Sequence, residues 1–310
     1  MTTPPLIIRE YRASDLDWLL EIESAAGARD RPGCVSSSSD LMESARRRNH
    51  DSVAIIVAER SGEIVGYASV MPEARIRRAV LRWQVHTDRH PRGVAGRLVD
   101  NAISRTLSLG AGAIHANIWQ SSPAAGKLLR RRGFRRVRRY LELRLDLSNT
   151  RVTEMKKDPF RSGFLTPSWE EKLTDLQNRS FAGTWGYNPN TVDEMVLRTR
   201  LPGSSLKDVI IGFGFEKQPI GYCWTKTHRS KDEGPNQEIG RIHMLGVDPD
   251  CRGRGVGRHL LVAGISELAR KGVRIIELTV DQENRAACAL YRSVGFKNWR
   301  SSLWYEKKIG

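Results

Sequence analysis

The chain has 310 residues, 39% hydrophobic and 28% charged, which suits two globular domains of about 150 residues and excludes a disordered or fibrous chain. No apolar run nears the roughly 20 residues that a bilayer crossing needs, and the opening MTTPPLIIREYRASDLDW lacks a leader pattern, so a cytoplasmic protein without a membrane partner is expected. The net charge of +16 is spread, with 25 Lys/Arg against 16 Asp/Glu in residues 1–150 and 26 against 19 in residues 151–310; no basic tail exists to act as a nucleic-acid arm.

In chain order, ASDLDWLLEIESAAG reads as a first helix, with Ser14 or Asp15 as its N-cap. SVAIIVAERSGEIVGYASV reads as two strands joined by a Ser61-Gly62 turn. A third long strand, a Gly-rich loop, a helix, a strand, a helix ending at RRRGF and a final strand follow. The dense run RRRGFRRVRR, Arg130 to Arg139, reads either as a phosphate grip or as a solvated helix end and strand edge. Residues 148–163 lack apolar periodicity and read as a linker. Cys34, Cys223, Cys251 and Cys288 are scattered, which argues for reduced thiols and against a disulfide framework or a metal site.

The second half repeats the first. VHTDRHPRGVAGRLV (Val85 to Val99) lies under VDPDCRGRGVGRHLL (Val247 to Leu261), with Gly93 under Gly255 at an offset of 162 residues. The same offset lays Gly133-Phe134 under Gly295-Phe296 and the run Ile114 to Ile118 under the strand around Ile275 to Val280. The hairpins match at 155, Gly66-Tyr67 with Gly221-Tyr222, so the second copy carries seven extra residues, assigned to the polar loop Arg229 to Glu238. The expected architecture is α/β: two tandem domains, 1–147 and 164–310, each a mixed central β-sheet flanked by helices.

Arg252, Gly253, Arg254, Gly255, Val256 and Gly257 follow a strand and open a helix. Such a turn points several backbone N–H groups at one spot, at the positive end of the helix dipole, and suits a pyrophosphate. GxxxxGK[ST] is absent and GxGxxG is not met, which argues against nucleotide hydrolysis and a dinucleotide fold.

This loop resembles the [RQ]xxGx[GA] signature of the GCN5-related N-acetyltransferase (GNAT) superfamily, through Arg252, Gly255 and Gly257. Asn284, Tyr291, Gly295 and Phe296, in ENRAACALYRSVGF, resemble its second motif. Within the superfamily, NRSFAG (Asn178 to Gly183), IGYCWTK (Ile220 to Lys226) and LGVDP (Leu245 to Pro249) resemble the tandem mycothiol synthases. The resemblance implies an acyl-CoA N-acyltransferase that moves an acetyl group from acetyl-CoA, as co-substrate and without a metal, to a small-molecule primary amine in a ternary complex. It implies that the backbone of Leu245, Gly246 and Val247 polarises the thioester carbonyl and that the amides of residues 253 to 258, including Arg258, hold the pyrophosphate.

Tyr291 matches the superfamily's general acid, against the plain reading of a packed aromatic, and Asn284 reads either as part of the cofactor site or as a helix N-cap. The position where mycothiol synthases place a glutamate base holds Arg241, which cannot accept a proton. His243 lies on the same strand face, at a position where arylalkylamine acetyltransferases carry histidine, and an ordinary pKa near 6.5 suits a base. Glu238 and Glu277 are lesser candidates, and Arg241 reads as a salt-bridge partner or a site for an acidic substrate.

The first copy has His90 in place of the loop Arg, Leu129 under Tyr291 and Ser122 under Asn284, so it is expected to bind CoA weakly or not at all, to do no chemistry and to wall the substrate cleft. The competing readings are acetylation of an amino-sugar conjugate, a non-catalytic acyl-CoA-binding protein, and nucleic-acid binding through the basic surface. Either a monomer or a homodimer is compatible with the sequence.

Overall fold

A computed structural model describes residues 5–26, 53–86, 92–149, 160–201, 203–229 and 238–309. Two compact units emerge: residues 1–141 with 300–310, and residues 142–299. The sequence repeat marks two copies, whereas the units mark which strands pack together, and the strand that ends each copy runs on into the other unit.

In the first unit the sheet runs β1 (Ile7–Glu10), β2 (Ala54–Arg60), β3 (Glu63–Glu73), β4 (Arg78–Val85), β5 (Ala113–Trp119) and then the C-terminal part of β12 (Lys297–Lys308). All pairings there are antiparallel except β4 with β5. The turn between β2 and β3 is Ser61-Gly62, both with positive φ, as the sequence reading expects. One face packs against α2 (Val94–Ser108) through Leu98, Val99 and Ala102; Leu19 and Ile22 of α1 (Leu16–Ala26) pack against Ile55, Val57 and Tyr67. α3 (Pro123–Arg130) buries Leu129 in the first of these cores.

The start of α1 differs from expectation. A 3-10 turn, Ala13–Asp15, precedes the helix, and the Asp15 carboxylate reaches back to accept from the Arg12 N–H at 2.7 Å and from the Arg9 guanidinium. An ion pair with Arg9 holds Asp15 in this turn, whose N-cap is Arg12, and Asp15 is the third residue of its capping box.

In the second unit the order is β6 (Arg135–Asp146, from Glu142 on), β11 (Ile275–Asp281), β10 (Glu238–Val247), β9 (Pro219–Arg229), β8 (Val209–Phe213) and β7 (Arg161–Phe164). β7 falls at the end of the expected linker, whose residues 150–159 lie outside the described residues. α4 (Glu170–Phe181) and α5 (Val192–Thr199) cover one face, burying Leu173, Leu176 and Met195 against Val209, Ile211, Tyr222 and Trp224. Each such side chain contributes about 1.5–3 kcal/mol on burial.

The opposite face carries α6 (Val256–Arg270), drawn close because glycines line the contact. A methyl group on Gly221 would lie 2.7 Å from the Leu260 side chain, and one on Gly264 would lie 2.5 Å from Cys223 Sγ. α7 (Arg285–Val294) completes this layer.

Candidate functional site

The site of the second unit is built where two strands part. β10 and β11 pair in parallel only from Ile239/Ile275 to Ile242/Leu278. β10 continues against β9 as far as Val247, so Leu245, Gly246 and Val247 keep β9 on one edge and have no β11 pairing on the other. At the parting point the β9–β10 register slips between Ile242 and Met244, leaving His243 as the unpaired residue of a β-bulge. The first unit has no such slip: β3 and β4 pair without interruption from Gly66/Val85 to Glu73/Arg78. One of the seven extra residues of the second copy is therefore His243 itself, a correction to placing all seven in the polar loop; residues 230–237 of that loop lie outside the described residues.

Beyond Val247 the chain enters the Gly-rich turn. Asp248 caps a 3-10 turn, Pro249–Cys251, by accepting from the Asp250 N–H at 3.0 Å. Arg179 of α4 clamps Asp248 and Asp250 at 3.0 and 2.9 Å, while Arg252 donates to the carbonyls of Val247 and Ser180. Gly253 and Gly255 have φ of +75° and +88°, a backbone that only glycine adopts without strain. Gly255 is the N-cap of α6 and brings no side chain to cap it. The first intrahelical bond to its carbonyl comes from His259, so the N–H groups of Val256, Gly257 and Arg258 begin the helix without capping partners, at its positive end. Gly257 packs within ordinary contact of Leu290 and Val247, Arg258 donates to Ser293 Oγ, and Arg254 is exposed. This donor set fits a pyrophosphate.

Tyr291 lies on α7, 7% exposed, with its ring edge-on to Phe296 at 6.0 Å. Burial, with the Cys223 and Cys288 thiols nearby, raises its phenol well above the ordinary value near 10 and keeps it protonated. Gly295, at φ +106°, ends the helix, and the Phe296 N–H returns to the Tyr291 carbonyl. Asn284 accepts from the Ala287 N–H at 3.1 Å and is the N-cap of α7. In the first unit, Ser122 begins α3 without such a bond and Leu129 is fully buried; His90 lies outside the described residues.

His243 is open to solvent yet crowded by protein atoms, and it meets the Trp224 indole edge-on at 5.4 Å. This crowding, followed by the positive charges of Lys226, Arg241 and Arg198, holds its imidazole well below 6.5 and leaves it neutral near pH 7.

Arg241 donates to Thr279 Oγ1 and bridges two buried carboxylates, Glu142 at 3.7 Å and Glu277 at 3.8 Å. Thr279 in turn donates to Glu142 at 2.7 Å. Arg144 binds Glu277 at 2.6 Å while lying over the Trp299 ring at 3.2 Å. Glu277 is thus held between two arginines, and Glu238 opens β10, exposed, opposite Arg229. Glu142 and Arg144 were not foreseen from the sequence: they close the first copy, and their place beside β11 is a tertiary fact. Cys223, Cys251 and Cys288 are free thiols; among the described residues no group of three or more His, Cys, Asp or Glu side chains is arranged to hold a metal.

The acetyltransferase (GNAT) family matches residues 20–134 and again 170–296. The chain belongs to the GNAT family. It is an acyltransferase of tandem GNAT organisation. A mycothiol acetyltransferase of Paenarthrobacter aurescens is 30% identical over 233 residues, covering 73% of this chain and 69% of that protein. One from Rhodococcus jostii is 26% identical over 302 residues, covering 96% and 95%. Among solved structures, a tandem GNAT protein from the clavulanic acid biosynthesis pathway superposes with a TM-score of 0.76 at 15% identity, covering 99% of both chains. A GCN5-related N-acetyltransferase from Sphaerobacter thermophilus gives 0.74 at 20% identity, covering 99% of this chain and 97% of that one. At these identities the two structures speak for the GNAT fold alone. No helix among the described residues is long and apolar enough to cross a membrane.

Proposed function

We propose that the second unit transfers an acetyl group from acetyl-CoA to a primary amine of a small molecule by direct attack in a ternary complex. The observation that carries this reading is the parting of β10 from β11 at Ile242/Leu278, directly before an uncapped helix start. Val256, Gly257 and Arg258 offer their N–H groups to the pyrophosphate, and Arg252 holds the turn in place. The unpaired edge of Leu245 to Val247 presents backbone polar groups to the thioester.

His243, neutral and exposed beside the strand parting, takes the proton from the amine as the amine nitrogen bonds to the carbonyl carbon. Tyr291, held protonated, gives its proton to the sulfur as the C–S bond breaks. The first unit does no chemistry, since Leu129 has no proton to give. A second reading, an amino-sugar conjugate as acceptor, is supported by the names of the relatives; Arg241 in place of a glutamate weighs against a direct carry-over.

Calorimetric titration of acetyl-CoA into the native protein and a Gly255→Glu variant tests the cofactor reading. One site, lost in the variant, is expected. A native protein that binds no acetyl-CoA would end this reading.

A further inference from the structure

Beside the strand parting, one buried hydroxyl stands without a partner among the described residues. It belongs to Ser180, in the last turn of α4 and 6% exposed, whose Oγ makes no hydrogen bond there. A buried serine or threonine inside a helix has a ready acceptor in the carbonyl four residues back. Thr174, on the same helix, uses it and donates to the Glu170 carbonyl at 2.8 Å. Ser180 stands over β10 instead. A methyl group on Gly246 would meet the Tyr222 ring and lie 3.1 Å from Ser180 Oγ, so the bare backbone of Gly246 lets the hydroxyl come this near.

The end of α4 is fastened to β10 and to the turn that follows it. The Ser180 carbonyl accepts from Arg252 at 2.7 Å, and the same guanidinium donates to the Val247 carbonyl. Arg179, the preceding residue, binds Asp248 and Asp250. On β10 itself, the Asp248 N–H donates to the Ile220 carbonyl at 2.9 Å, and in an antiparallel pair such bonded residues recur at every second position. Gly246 therefore turns its polar groups toward Tyr222 of β9, while Val247 turns its N–H to the edge that β11 leaves open.

We infer that the Ser180 hydroxyl is a second donor to the thioester oxygen, beside the Val247 N–H. This rests on the acetyltransferase reading above and adds a residue to its site. As the amine nitrogen bonds to the carbonyl carbon, an electron pair moves onto that oxygen. The hydroxyl and the amide hold the charge until the pair returns and the C–S bond breaks. A donor set in place for this step has to be kept from other partners beforehand, which is how Ser180 stands.

The test is isotope-edited infrared spectroscopy of acetyl-CoA, labelled with carbon-13 at the acetyl carbonyl and bound to the purified full-length protein. It reads this hydrogen bond without any acceptor amine. The carbonyl stretch is expected at a higher frequency in Ser180→Ala than in the native protein, because one donor is gone. Ser180→Cys, which keeps a weaker donor, is expected between the two, and Thr174→Ala is expected to leave the stretch where it is. By calorimetry, Ser180→Ala is expected to bind acetyl-CoA within about tenfold of the native affinity. Without ligand it is expected to melt no lower than the native protein, since alanine removes an unpaired buried hydroxyl and favours the helix. An unchanged stretch in Ser180→Ala overturns the inference, and a lower melting temperature beside it would make the hydroxyl a packing group only. If acetyl-CoA binds and the stretch does not respond, the Ser180 inference falls while the cofactor reading stands. If acetyl-CoA does not bind the native protein, both fall.

Discussion

His243 and Trp224 meet edge to face across the β9–β10 slip, ring centroids 5.4 Å apart, so the residue that the bulge adds is steadied by the strand it fails to pair with. A bulge aims a side chain where regular pleating does not, and here it places an exposed imidazole beside the strand parting. In the proposed reaction His243 is the base, and since it is held below 6.5, chiefly by desolvation, its protonation is expected to limit activity only in acid. The expected kcat/KM profile is flat from neutral pH through 6.5 and falls below it. His243→Gln is expected to lower kcat by about 10²–10⁴-fold and to abolish that acid limb, read from initial rates at saturating acetyl-CoA.

In the proposed reaction Tyr291 is the acid that protonates the leaving sulfur. Its phenol is pushed above the ordinary value near 10 by burial, so it remains a donor throughout the range in which the protein can be assayed. Tyr291→Phe keeps the ring against Phe296 and removes only the hydroxyl. A loss of about 10²-fold or more in kcat, with acetyl-CoA affinity by calorimetry unchanged, is expected. A variant of undiminished kcat would show that the thiolate finds its proton elsewhere.

Much of this was legible because local chemistry forced it. Gly253 and Gly255 must be glycine to hold positive φ, so the turn announces itself in the sequence. Asn284 is a strong N-cap seven residues before Tyr291, which fixes the face that Tyr291 occupies. The repeat is visible because both copies keep the same apolar strands. Three features were hidden for a shared reason: pairing partners decide them. His243 becomes a bulge residue only through its register against Thr225 and Trp224. Glu142 reaches Arg241 only because the last strand of the first copy continues into the second unit. Asp15 closes a 3-10 turn before α1 because Arg9 and Arg12 hold its carboxylate.

Arg241 links three elements of the second unit, β6 through Glu142, β11 through Glu277 and Thr279, and its own strand β10. Removing Arg241 takes a positive partner from the buried Glu142 carboxylate, while Glu277 keeps Arg144. Arg241→Met is therefore expected to cost about 3 kcal/mol of stability, measured by urea unfolding. The double variant Arg241→Met/Glu142→Gln is expected to recover part of that loss, because it also removes the buried negative charge that Arg241 offsets. Additive losses in the double-mutant cycle would show that the two side chains do not depend on each other.

Gly264 sets two opposing effects against each other in the middle of α6. On helix propensity alone, alanine is favoured over glycine by about 1 kcal/mol. Its methyl group, however, would stand 2.5 Å from Cys223 Sγ and 3.3 Å from both Ile242 and Thr225 side-chain carbons. Cys223 and Thr225 are fully buried on the sheet beneath, so neither has room to yield, and overpacking of this kind costs about 1–3 kcal/mol. Packing is expected to win, and Gly264→Ala to lower the melting temperature. Cys223→Ala removes the sulfur and opens the space, so the double variant is expected to be more stable than Cys223→Ala alone, with the propensity gain then expressed. A Gly264→Ala protein more stable than the native one would mean that α6 can lift from β9 at little cost, and that the glycines do not set how closely the helix approaches the sheet.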